Sequence, residues 1–322
     1  MCGINGIFSK QLVKSEFEEK IQLMNSLINH RGPDSNGFYF SEKVCLGSTR
    51  LSILDLSEKN NQPYKDESEN YILVFNGEIY NYLELQAELK VQGCTFKTSG
   101  DTEVLLQSYI KWGIEKLLSK LEGMFAFAIY DKKKEIIICA RDHLGQKPFF
   151  YFKNENTFIF SSELKPLIQS RLIDTKLKFE NIARYLHYES FVQNETIFSN
   201  VEKLLPGKYL LFDLNENIIQ KHSYWENDLY KNPDIMKIKN NREVSESVIQ
   251  EINHSVIKQL RSDVPIGVYC GGGVDSTLVA HLASQKNRNI EGLNLVLGET
   301  TFDEKDYVKK NTIFNSFVSS CL

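Results

Sequence analysis

The stretch MFAFAIYDKKKEIIICARDHLGQKPFFYFKNENTFIFS, residues 124–161, decides the fold class of this chain. MFAFAIY (124–130) and EIIICA (135–140) are apolar runs separated by Asp131-Lys132-Lys133-Lys134, the composition of a hairpin turn. FFYF (149–152) and TFIFS (157–161) form a second such pair around Asn154-Glu155-Asn156. Toward the N-terminus, YILVF (71–75) ends at Asn76-Gly77 and predicts a strand followed by a turn. IYNYLELQAELK (79–90) carries apolar residues at helical spacing and stops near Gly93, and TEVLLQSYI (102–110) predicts a helix capped by Asp101. Repeated antiparallel hairpins with helices grouped apart predict an α+β domain of stacked sheets covered by helices.

The pattern changes toward the C-terminus. Residues 226–246 are polar, contain Asn232-Pro233 and several lysines, and predict a linker whose charges form a solvated face. A helix is expected over 247–261 with Ser247 as its N-cap, then a strand VPIGVY (264–269) and a loop Cys270-Gly271-Gly272-Gly273. A helix STLVAHLASQ (276–285) and a second parallel strand at 290–297 complete the opening βαβ of an α/β nucleotide-binding domain.

Bulk properties narrow the function classes. A chain of 322 residues has room for two cores. With 38 Lys+Arg against 42 Asp+Glu, no charge excess points to nucleic acid or to an anionic membrane. No signal-peptide pattern and no membrane-length apolar run stand out, and the six cysteines lack any metal or disulfide spacing. The expectation is a reduced, cytoplasmic protein.

Two segments carry chemistry. Cys2, directly after the initiator methionine, offers a thiol nucleophile and, once Met1 is removed, an α-amine whose ordinary pKa of ~7.7–8.0 suits proton exchange at neutral pH. Taken alone it is more often an inert small hydrophobe. Gly271-Gly272-Gly273-Val274-Asp275-Ser276-Thr277, between strand and helix, lets backbone N–H groups and a helix N-terminus meet a phosphate, or else is only a tight turn. Asp275 is the candidate ligand for a magnesium ion there, and the Ser276 and Thr277 hydroxyls are candidate phosphate donors. No Gly-Lys-Ser/Thr follows at the spacing of a Walker A loop.

Six motifs in order carry a resemblance: Met1-Cys2-Gly3-Ile4, Asn29-His30-Arg31-Gly32-Pro33-Asp34, Gly47-Ser48-Thr49-Arg50-Leu51-Ser52-Ile53, Phe75-Asn76-Gly77-Glu78-Ile79-Tyr80-Asn81, Ser99-Gly100-Asp101-Thr102-Glu103, and Arg141-Asp142-His143-Leu144-Gly145-Gln146-Lys147-Pro148. Together they resemble the glutamine-hydrolysing asparagine synthetases and their class-II glutamine amidotransferase relatives. The resemblance implies an N-terminal-nucleophile hydrolase fold, two antiparallel sheets between helical layers, over residues 2–215. It implies Cys2 as nucleophile on the glutamine amide, with Asn76 and the Gly77 N–H as oxyanion donors. Arg50 would receive the substrate α-carboxylate, and Asp101 and Glu78 the α-ammonium, with Leu51, Ser52 and Ile53 completing the substrate site. His30 is expected to support the pocket wall.

For residues 247–322 the resemblance implies the start of an ATP domain that adenylates aspartate for amidation by ammonia. Tyr269, Cys270, Gly271, Gly272, Gly273, Asp275, Ser276 and Val296 are its implied nucleotide contacts, with ATP and Mg2+ as cofactors and Asp275 as metal ligand; Thr301-Phe302-Asp303-Glu304 resembles the motif that follows. The small-molecule partners implied are glutamine and aspartate, without nucleic acid or membrane, and the family often forms homodimers. Two departures stand against the pattern: Gly271 replaces a serine, and the short run after Asp275, ending in NTIFNSFVSSCL (311–322), leaves little more than one further βαβ unit. The expectation is a synthetase half that is incomplete. Alternative readings are an amidotransferase for another carboxylate acceptor, and a catalytically decayed fragment; Cys2 speaks against lactam-forming relatives.

Overall fold

The computed structural model describes residues 2–227, 241–271, 273–287, 290–294 and 318–321. The chain divides into two compact units, Met1–Asn227 and Asp228–Leu322.

The first unit is built on two six-stranded antiparallel sheets. Its elements in order are β1 (Gly3–Ser9), α1 (Lys14–Leu27), β2 (Ser35–Phe40), β3 (Val44–Arg50), β4 (Tyr64–Lys65), β5 (Tyr71–Ile79), α2 (Tyr82–Val91), α3 (Asp101–Trp112) and α4 (Ile114–Lys120). They continue with β6 (Gly123–Asp131), β7 (Ile136–Arg141), β8 (Phe150–Lys153), β9 (Thr157–Ser161), α5 (Leu164–Gln169), α6 (Phe179–Tyr188), β10 (Val201–Lys203), β11 (Lys208–Asp213) and β12 (Ile218–Ser223). One sheet has the order β10-β8-β9-β1-β3-β2, the other β12-β11-β7-β6-β5-β4.

Three apolar clusters define the layers. Between the sheets, Phe8, Leu46, Phe158 and Phe160 meet Val74, Ala128, Cys139 and Phe212. Phe158 stacks on Phe212 with ring centroids 4.5 Å apart, joining the sheets directly. On the outer face of the β5–β7 sheet, Phe75, Phe125 and Phe127 pack under Leu85, Leu105 and Leu118 of α2, α3 and α4. On the other outer face, Ile7, Cys45 and Ile159 pack under Phe17, Ile21 and Leu167 of α1 and α5. Each large side chain buried this way contributes about 1.5–3 kcal/mol. Stacked antiparallel sheets between helices are the architecture expected from the sequence.

Local corrections concern the pocket. Asn76-Gly77 is not a turn: β5 continues through both to Ile79, with Asn76 opposite Ala126 and Gly77 opposite Phe125. Cross-strand pairing with β6 overrides the turn propensity of the dipeptide, and the following helix starts at Tyr82 instead of Ile79. Asp101 does not cap α3 either. Gly100 holds the N-cap position, and Asp101, the first helical residue, accepts the Ile79 N–H at 2.9 Å.

In the second unit, α7 (Asn241–Gln259) begins six residues ahead of the expected start, so Ser247 lies inside it. β13 (Gly267–Tyr269) is shorter than expected, α8 (Val274–Lys286) begins two residues earlier, and β14 (Glu291–Asn294) runs parallel to β13. β15 (Val318–Cys321) adds a third parallel strand. Val256, Leu282, Ala283 and Ile290 form its small core. Gly272, Val296 and residues 301–304 fall outside the described residues, as does most of the expected linker.

Candidate active site

Cys2 stands one residue before β1, the central strand of its sheet, and Arg50 ends the neighbouring β3. The pairing of Gly3 with Thr49 therefore brings the thiol beside the guanidinium. The main chain of Cys2 is anchored by Arg31, whose Nε donates to the Cys2 carbonyl at 3.1 Å, and Arg31 also pairs with Glu163. The Leu51 N–H points at Cys2 Sγ from 3.4 Å. Burial pushes the thiol up from its ordinary pKa, so the resting group is the neutral thiol and attack requires a base.

A cavity of about 210 Å³ opens against Sγ. Cys2, Arg50, Leu51, Ile53, Asn76, Gly77, Glu78 and Asp101 all line it. Ser52 does not; its N–H turns away to Asp34 Oδ2 at 2.8 Å. His30 is also outside the lining and is exposed against Glu163, while Arg31 and Asp34 of the same motif brace Cys2 and Ser52.

Strand geometry sets the donors. The Phe75 N–H donates to Gln62 Oε1 at 2.6 Å and the Ile79 N–H to Asp101, both on the β5 edge away from β6. Backbone groups alternate along a strand, so the Gly77 N–H lies on that same edge, midway between them. β4 pairs only with Leu73 and Ile72, and where the ladder would next reach Phe75 the Gln62 side chain takes the place of a strand backbone. The edge from Phe75 onward is left to side chains and to the cavity. Asn76, with no exposed surface, turns its side-chain amide into the interior with neither Oδ1 nor Nδ2 bonded. An unsatisfied buried amide costs about 1–3 kcal/mol, and one beside a thiol and a cavity is a donor kept for a ligand.

Charge is arranged around these groups. The Arg50 guanidinium reaches the Ser57, Leu54 and Asp55 carbonyls and Asn61 Oδ1, all uncharged acceptors. The carboxylates of Asp55, Asp101 and Asp34 bear on it through their field, and a planar guanidinium so placed can take a direct ion pair from an anion. Asp101, only 4 % exposed, has its carboxyl pushed up to about 7 by burial, with the nearby Glu78 adding to the rise. Burial also raises Glu78, opposed by Lys147.

Lys147, which also lines the cavity, had no role assigned from sequence. Its motif forms a strap after β7. Asp142 accepts N–H groups from Leu144, Gln146 and Lys147, and Arg141 donates to the carbonyls of Lys147, Leu204 and Gly145. The Lys-Pro ending of that motif was the available signal. Gln62 and Met124 are further lining residues that no motif pointed to, and Thr102 lines the cavity from within a motif that gave it no role. Glu103 serves the fold, accepting the N–H groups of Lys97 and Thr98.

The second candidate site is the turn between β13 and α8. Gly273 is the helix N-cap and Asp275 lies in the first turn. Ser276 Oγ accepts the Gly271 N–H at 3.3 Å and donates to the Gly273 carbonyl at 3.2 Å, closing the loop on itself. Cys270 is buried, with its carbonyl held by Asn294 Nδ2 at 2.8 Å, and Tyr269 is exposed. A Cβ on Gly273 would meet no atom within 4 Å, leaving the helix N-terminus open to an anion. Asp275 is exposed, and among the described residues no group of three His, Cys, Asp or Glu side chains is placed to hold a metal. Nor is any described helix long and apolar enough to cross a membrane.

Comparison with known proteins follows these two sites. Residues 1–225 match the model for a glutamine amidotransferase domain, and residues 247–312 the model for asparagine synthase. The chain is 35% identical to asparagine synthetase [glutamine-hydrolyzing] 1 of Bacillus subtilis (strain 168), over 96% of this chain and 48% of that protein. It is 38% identical to a Methanocaldococcus jannaschii protein provisionally described as asparagine synthetase [glutamine-hydrolyzing] 2, over 96% of this chain and 62% of that one. The chain thus spans roughly half to three-fifths of the curated relatives it matches. Among solved structures, glutamine phosphoribosylpyrophosphate amidotransferase from B. subtilis superimposes with a TM-score of 0.53 at 17% identity, covering 90% of this chain and 65% of that one, a likeness of fold. With 225 of its 322 residues matched and Cys2, Arg50, Asn76 and Asp101 drawn to one cavity, this chain belongs to the glutamine amidotransferase domain family, on an N-terminal-nucleophile hydrolase fold.

Proposed function

We propose that the first unit hydrolyses the side-chain amide of L-glutamine at Cys2, and that the ammonia serves ATP-dependent amidation of aspartate to asparagine. The observation that carries the first half is the buried, unpartnered Asn76 amide facing the same cavity as the Cys2 thiol. The second half is supported by the asparagine synthase match and by the names of the relatives.

In this mechanism Arg50 binds the substrate α-carboxylate, and Asp101 with Glu78 binds the α-ammonium, fixing the amide carbon over Sγ. The α-amine of Cys2, freed by removal of Met1, takes the thiol proton as sulfur attacks. Negative charge on the amide oxygen is met by Asn76 Nδ2 and the Gly77 N–H, each donor worth about 3 kcal/mol in the transition state. The amine returns the proton to the departing ammonia, leaving a γ-glutamyl thioester. Water then cleaves the thioester to glutamate and the free thiol. Leu51 and Ile53 shape the pocket around the substrate's methylenes.

In the second unit, the β13–α8 turn and the first N–H groups of α8 would hold the phosphates of ATP, with Asp275 toward Mg2+; Gly272 and Val296 belong to the same proposed contact set. When bound, ATP supplies the activating adenylyl group for the acceptor carboxylate. The five free cysteines among the described residues suit a reducing cytoplasm, and a homodimer is the assembly the family reading favours. The test supplies glutamine alone, then glutamine with aspartate and Mg-ATP, and measures glutamate, asparagine and AMP. Cys2-dependent glutamate release is the expected result. Absence of glutamate under both conditions would overturn the reading.

A further inference from the structure

Lys147 is the most enclosed lysine among the described residues, only 4 % exposed. An ammonium taken out of water needs a counter-charge, yet no described carboxylate lies within ion-pair distance of its Nζ. Its backbone is fixed by Asp142 and Arg141 from both sides, so the side chain enters the cavity from a rigid strap. There it lines the cavity together with Glu78 of β5, Cys2 and Asp101, and Glu78, Arg31, Cys2 and Asp142 are the groups that act on it electrostatically. Glu78 in turn feels the charge of Lys147, and Asp101 that of Glu78 and Arg50. Half-buried Glu78 and buried Asp101 therefore line one cavity together with Lys147, while Arg50 bears on Asp101.

We infer that Lys147 is a positioning residue: its ammonium holds Glu78 ionised and turned into the cavity, so that Glu78 and Asp101 together receive the α-ammonium of the substrate. The inference rests on the glutamine reading above. Without Lys147, the proton that the two acids already hold near neutrality is kept to higher pH, and that proton must leave before an ammonium can bind. The deficit is largest at low pH and shrinks as rising pH removes the proton. Nothing in this role touches the reacting amide, so the loss falls on substrate binding.

The experiment compares Lys147→Met and Lys147→Arg with the unmodified chain. Glutaminase kcat and KM are read from pH 6.5 to 8.5, and L-glutamine binding is followed by calorimetry in a Cys2→Ala background. Lys147→Met is expected to weaken binding about tenfold at pH 6.5 and less than about threefold at pH 8.5, with Lys147→Arg close to the original. A deficit equal at every pH, or one that Lys147→Arg shares, overturns the inference. Glu78→Gln gives a second route: in that background Lys147→Met should add no further loss, and an additive loss counts against the coupling. Failure of the unmodified chain to release ammonia through Cys2 would sink the glutamine reading itself. Ammonia release with a flat pH response in Lys147→Met would sink only the role of Lys147.

Discussion

Gly77 and Gly273 belong to the two proposed ligand sites, and they are surrounded in opposite ways. A Cβ on Gly77 would lie 2.1 Å from the Met124 carbonyl oxygen, whereas one on Gly273 would meet nothing within 4 Å. The first site is preorganised by a sheet, with its donors aimed before any substrate arrives. The second is an open turn closed by its own serine, at the end of a short parallel sheet. Catalysis of acyl transfer gains most from rigid donors, and phosphate binding tolerates a loop that adapts. On the proposed roles, the contrast sets a rigid site for chemistry in the first unit against an adaptable one for ligand capture in the second.

Four measurements break or sharpen this contrast. Cys2→Ala should remove glutamate release altogether, a loss of at least about 10⁴-fold, because no other thiol lines the cavity. Asn76→Ala should lower kcat about 10²–10³-fold while the protein still binds glutamine; an unchanged kcat would take Asn76 out of the oxyanion site. In thermal unfolding, Gly77→Ala should cost about 1–3 kcal/mol through the Met124 clash, and Gly273→Ala, whose φ of −70° suits alanine, should stay within about 0.5 kcal/mol. Equal costs at the two glycines would erase the distinction drawn here. The smallest effect is pH-dependent. With the Asp101 carboxyl near 7, its charge is lost as pH falls, so KM for glutamine should drop several-fold between pH 6 and 8. Asp101→Asn should flatten that profile. For stability the sign reverses: a raised carboxyl favours the folded state at low pH, and that contribution is lost as pH rises through about 7.

Much of this was legible in the sequence. The two hairpins of residues 124–161 fold nearly as predicted, because their alternation of apolar runs and charged turns agrees with their tertiary pairing. The pocket residues were legible only as motifs, since their meeting depends on strand register. Asn76-Gly77 shows the limit. Local propensity favours a turn, and only the long-range ladder with β6 makes it strand. Asp101 was misplaced for a related reason: it sits where a cap belongs, but its carboxylate serves β5 instead of its own helix. Lys147 was legible only as part of a motif, since its burial against the cavity depends on how the strap after β7 folds.

One consequence belongs to the shortest strand of the first unit. β4 contributes two pairs to β5 and then gives way to Pro63 and the Gln62 side chain. The Gly77 N–H is available because its would-be neighbour stops early. The proposed oxyanion donor is in this sense an unfinished seam. A β4 lengthened past Pro63 would stitch that seam shut, removing the proposed glutaminase activity with Cys2, Arg50, Asn76 and Asp101 still in place.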